Sequence, residues 1–142
     1  MALLLLGALK LVAAEGAWLT DLPKAQEKAK AENKLVFMDF TGSDWCPPCK
    51  QLHKDVLTSK EFSEFARDNL VLVEVDLPRL KPQTPELQRA NRELQRKFKV
   101  SMFPTLIILN GEGKELGRLQ YSPAFKTSDY VAQIKKLQNK PA

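Results

Sequence analysis

The sequence predicts an α/β fold, a three-layer sandwich in which a mixed central sheet carries helices on both faces. Three observations lead there. Apolar runs of strand length at residues 35–40, 70–76 and 105–109 are separated by stretches with helical spacing of apolar residues. The first run is too continuously apolar to face water on one side, so it reads as a central strand. A turn-forming Asn-Gly-Glu-Gly at 110–113 then joins the last two strands as a hairpin, which mixes antiparallel pairing into a sheet otherwise built by crossovers.

The elements follow in order. Residues 1–14 contain the apolar run 2–9 and the small residues Val12, Ala13 and Ala14, a pattern expected of a signal peptide cleaved before Glu15; no basic residue precedes the run and Lys10 interrupts it. Residues 15–142 are expected to form one domain, large enough to bury a core without disulfide staples. Thr20 or Asp21 caps a first helix carrying Pro23 in its first turn, with Leu22, Ala25 and Ala29 inward and Asn33 as its stop. After the 35–40 strand, a helix begins at Cys46 with Leu52 and Val56 inward, and breaks near Thr58 and Ser59. Ser59 caps the next helix, whose inner face is Phe62, Phe65 and Ala66. The strand 70–76 ends in Glu74 and Asp76, and residues 77–84, with Pro78 and Pro82, read as a loop. Thr84, Pro85 and Glu86 open a helix whose stripe Leu87, Ala90, Leu94 and Phe98 is expected to pack into the core. The hairpin of 105–109 and 115–121 follows. Thr127 or Ser128 then starts a last helix with Val131, Ile134 and Leu137 inward.

Composition excludes little beyond the extremes. The hydrophobic content of 44% and charged content of 27% are those of a soluble globular domain, and the net charge of +5 is not gathered into a basic block. Nucleic acid is therefore not an expected partner, and no segment is long enough to span a bilayer.

The chemistry concentrates in residues 40–50, Phe-Thr-Gly-Ser-Asp-Trp-Cys-Pro-Pro-Cys-Lys, which hold the chain's two cysteines, Cys46 and Cys49. A disulfide between them would close too small a loop to staple the fold. Structural zinc would want four ligands where only His53 stands near, and haem attachment would want His directly after Cys49, where Lys50 stands. A thiol at the first turn of a helix meets unpaired N–H groups and the positive end of the helix dipole, which favours the thiolate. A second thiol one turn along can resolve a mixed disulfide made by the first. The pair reads as a two-electron redox device, with Cys46 as the exposed nucleophile. His53 reads as a surface residue.

Trp45-Cys46-Pro47-Pro48-Cys49-Lys50 resembles the Trp-Cys-x-Pro-Cys-Lys active site of thioredoxins, and Phe103-Pro104-Thr105 resembles the family's cis-proline loop. The order of the two motifs agrees, and the likeness spans about Trp18 to Leu137. The Thr-Gly-Ser-Asp-Trp-Cys lead-in is similar to that of exported bacterial thioredoxin-like proteins.

The resemblance implies thiol–disulfide exchange on protein disulfides or dithiols, with Cys46 and Cys49 catalytic and no cofactor. Trp45, Pro47, Pro48, Phe103 and Pro104 would contact substrate, with Phe103–Pro104 cis and the Phe103 backbone pairing with an extended segment. Pro47 and Pro48 lack N–H groups, so few backbone donors surround the thiolate. Asp39 has two readings. It is a surface carboxylate at a strand end, or it matches the family's buried proton acceptor, with one more residue between it and the first cysteine. Leu72 stands where many thioredoxins carry a lysine beside that acid. The expected setting is periplasmic or secreted, with a cytoplasmic one as the alternative. The chain is expected to act as a monomer, more as reductase or isomerase than oxidase, with a membrane electron donor as a candidate partner. The rival reading keeps the fold but makes it a redox-inactive binding module, a client chaperone or a thiolate metal carrier.

Overall fold

The computed structural model describes residues 17–140, so the leader expected at 1–14 lies outside the described residues. The sheet order is β2-β1-β3-β4, with β1 (Leu35–Thr41) at its centre between β2 (Leu70–Asp76) and β3 (Thr105–Leu109). β1 pairs in parallel with β2 and antiparallel with β3, and β4 (Glu115–Gln120) completes the hairpin. Leu19 adds one parallel bridge to Val73 on the outer edge of β2.

Alternation along the strands separates two cores. One face of the sheet sends Phe37, Leu72, Leu106 and Ile108 against α2 (Pro47–Leu52), α3 (Lys60–Asn69) and α5 (Thr127–Gln138). The other face sends Val36, Met38, Val73 and Ile107 against α1 (Leu22–Glu32) and the end of α4 (Pro85–Lys97). This is the three-layer arrangement expected from the sequence.

Local signals placed the helix ends. Asp21, Ser59 and Thr84 each accept the N–H three residues on, at 3.1, 3.2 and 3.2 Å, satisfying donors the first turn leaves free. Asn33 ends α1 in the left-handed conformation, φ 54°. α2 does not run on as one α-helix to Val56. It passes at His53–Leu57 into a π-helical turn that still buries Val56 and Leu57.

The expected stripe on α4 needs correction. Phe98 is buried, Leu87 and Leu94 are half-buried, and Ala90 is exposed. The buried residue within α4 is Asn91, whose amide donates to the Asp76 carbonyl at 2.9 Å. Of the expected stripe, Phe98 joins the core on the α1 side of the sheet and Leu94 packs against it.

Candidate active site

Cys46 is the N-cap of α2 and Cys49 lies in its first turn, with their Cα atoms 5.2 Å apart and a disulfide joining them. Pro47 and Pro48 occupy the first two helical positions, where the missing N–H groups break no helical bond. The first available amide is that of Cys49, which donates to Cys46 Sγ at 3.3 Å. From the other side, the Phe103 carbonyl oxygen lies 3.7 Å from Cys46 Sγ. The Phe103–Pro104 bond is cis, Pro104 is buried and Phe103 is half-buried.

The expectation of an exposed Cys46 does not hold in this disulfide state. Cys46 and Cys49 are 4% and 3% exposed, so position at the helix end, and not exposure, distinguishes them. Pro47 is exposed and Pro48 half-buried, so the prolines present the loop to solvent.

Trp45 is fixed on three sides. Its Nε1–H donates to the Leu77 carbonyl at 2.8 Å, its ring meets that of Phe103 edge-on at 5.7 Å, and the Arg79 guanidinium lies 3.9 Å from the ring centroid. Gly42 makes this placement possible, since a Cβ there would stand 2.3 Å from the indole.

Asp39 is buried in the middle of the sheet at 6% exposure, which removes the surface reading. It faces Glu74 across the β1–β2 pair, and its Oδ1 has no hydrogen-bond partner among the described residues. Burial, reinforced by the charges of Glu74 and Asp76, pushes its carboxyl up to about 7. A cavity of about 330 Å³ joins Asp39 to Cys49, with Glu74, His53, Lys81 and Trp18 among its walls. His53 is exposed at the rim, as its surface reading requires. The structure therefore brings Asp39 to the dithiol despite the extra residue between them.

Two acids escaped sequence reasoning. Asp76 accepts the Ser43 N–H at 3.0 Å and the Ser43 hydroxyl at 2.5 Å, tying the segment before Cys46 to β2. Asp44 accepts the N–H groups of Arg79, Leu80 and Lys81 at 3.0, 2.7 and 2.6 Å, and these bonds hold its carboxyl down near 2. Both partners lie more than thirty residues away, and the one available hint was the loop's length.

A disulfide at a helix N-terminus, facing a cis-proline loop on a mixed sheet, defines a thiol–disulfide oxidoreductase site on a thioredoxin fold. The chain belongs to the thioredoxin-like family: the model of the thioredoxin-like domain matches residues 22–135. It is 38% identical over 112 residues to the disulfide bond reductase DsbH of Chlamydia pneumoniae, covering 79% of this chain and 67% of that protein. A solved structure described as DsbH oxidoreductase superposes with a TM-score of 0.81 at 34% identity, over 99% of this chain and 96% of the other. The thiol:disulfide interchange protein DsbD of Pasteurella multocida is 29% identical over 118 residues, which cover 80% of this chain but 18% of that longer protein. The chain is a protein-disulfide oxidoreductase of this family.

Proposed function

We propose that the protein works as a reductase of protein disulfides outside the cytoplasm, after removal of residues 1–14. The Cys46 thiolate attacks one sulfur of a substrate disulfide. That bond breaks, the first substrate thiolate leaves and takes a proton, and a mixed disulfide remains on Cys46. Cys49, deprotonated by Asp39 through the cavity they share, then attacks Cys46 Sγ and releases the second substrate thiolate. Two electrons have passed to the substrate, and the protein is left as the disulfide.

The direction rests on one observation, the poor support available to the Cys46 thiolate. With Pro47 and Pro48 in the first turn, a single backbone N–H among the described residues, at 3.3 Å, serves the sulfur. Strong oxidants of this chemistry stabilise their reduced form, and a site with few donors and a buried acid below Cys49 favours the disulfide. Lys50 and Lys81 line the same cavity and temper that effect. Trp45, Pro47, Pro48, Phe103 and Pro104 form the face that meets substrate, with the Phe103 backbone beside the reacting sulfur. The protein acts as a monomer, and an electron donor at the membrane restores its dithiol.

Equilibration with a glutathione buffer tests this reading. The potential is expected below about −200 mV, whereas a value near about −120 mV would make the protein an oxidase. The cysteine roles are tested by substitution. Cys49→Ser should accumulate mixed disulfides with a reducible protein such as insulin and Cys46→Ser should form none. Wild-type turnover by Cys49→Ser would defeat the two-thiol mechanism.

A further inference from the structure

Beside the disulfide, apart from the cavity that holds Asp39, lies an open cleft of about 300 Å³ between α4 and the loop 77–84. Trp45 and Phe103 line it next to the cysteines, and Arg79, Arg92, Gln88 and Gln95 line it further out. Among the described residues, none of those lining it is acidic, and neither arginine makes an ion pair. The neighbouring carboxylate of Asp44 is already engaged by three backbone N–H groups.

The cleft is built rather than incidental. Asp44 holds the loop backbone from Arg79 to Lys81, Trp45 donates to Leu77, and Gln83 and Asn91 both donate to the Asp76 carbonyl, at 3.2 and 2.9 Å. Arg79 is stacked on Trp45, which aligns its planar fork beside the ring. Leu80 in the same loop and Met102 next to Phe103 are 84% and 67% exposed. The aromatic floor, the two arginines and the Gln88 amide make a surface for an extended segment carrying negative charge.

Resting on the reductase reading, we propose that this cleft is a specificity subsite for polypeptide substrates, binding an acidic side chain that flanks the substrate's reactive cysteine. Phe103 sets the geometry. Its carbonyl is 3.7 Å from Cys46 Sγ while the residue also lines the cleft, so a segment seated there has its cysteine at the disulfide and its neighbours against Arg79 and Arg92.

The test is single-turnover oxidation of the pre-reduced full-length protein by three disulfide-bridged peptides, identical except for Glu, Gln or Lys beside the cysteine. At about 20 mM salt the Glu peptide is expected to react about tenfold faster than the Lys peptide, since each exposed pair contributes a factor of roughly two to five. At about 0.5 M salt the ratio should approach one. Arg92→Glu, on the exposed face of α4, should bring the ratio close to one, and Arg79→Gln should narrow it. Equal rates at low salt, or a ratio unchanged in Arg92→Glu, would overturn the subsite alone. Failure of the wild-type protein to reduce the Gln peptide would overturn the reductase reading and the subsite with it.

Discussion

Two aspartates near the cysteines are driven in opposite directions by their surroundings. Asp39 lies buried with an unpartnered oxygen and two acidic neighbours, and its carboxyl is pushed up to about 7. The folded protein therefore keeps a proton that the unfolded chain releases near 3.8, so stability falls as pH rises from about 4 to about 7 and stays reduced above it. Asp39→Asn removes that ionisation. Its effect should be small at pH 4 and a gain of about 4 kcal/mol at pH 8, read from urea unfolding at both. An identical effect at the two values would show that Asp39 does not titrate between them. Asp44 is half-buried and held near 2 by the three N–H groups it accepts, so its contribution is present above pH 4 and lost as pH falls towards 2. The amides of Arg79, Leu80 and Lys81 should shift together with a midpoint near 2, and Asp44→Ala should abolish the shared transition in an NMR titration. Neither acid could be placed from sequence alone. Asp39's burial is decided by β2 across the pair, and Asp44's partners lie about thirty-five residues downstream.

At the scale of elements, the local signals were readable and the tertiary ones were not. Asp21, Ser59 and Thr84 cap their helices because a cap is made with atoms three residues away. The active-site pair could be read for the same reason, since Cys46 and Cys49 need only the first turn of α2. The stripe on α4 was different: spacing names the face that would bury, but only a covering layer buries it, and Ala90 has none. The π-helical turn at His53–Leu57 likewise has no sequence signal that we recognise. The loop before α2 yields a prediction of its own. A methyl at Gly42 would meet Trp45 at 2.3 Å, and the indole cannot simply retreat while bonded to Leu77 and stacked by Arg79. Gly42→Ala should cost about 1–3 kcal/mol by overpacking. It should also change the Trp45 fluorescence, with Trp45→Phe in the same background as the control for Trp18. An unchanged spectrum and unchanged stability would mean that the loop moves freely.

For the molecule as a whole, the sheet works as a partition with separate duties on its two sides. The side carrying α2, α3 and α5 supports the cysteines and the Asp39 cavity, while the side carrying α1 and the end of α4 braces β1 from behind. Ile107 and Ile108 test this division directly. They are neighbours on β3 and both fully buried, yet Ile107 belongs to the core under α1 and Ile108 to the core under α3 and α5. Each change to valine removes one methylene and should cost about 0.5–1.5 kcal/mol. If the sheet separates the two cores, the cavities left behind relax into different layers and the double variant should equal the sum of the singles within about 0.5 kcal/mol. Leu106→Val with Ile108→Val is the contrasting pair, since both side chains share one core and their cavities can merge. That pair should depart further from additivity than the first, as measured by urea unfolding of all five variants and the parent. If Ile107→Val and Ile108→Val couple more strongly than the same-side pair, strain passes through the backbone of β3, and the two cores fold and yield as one.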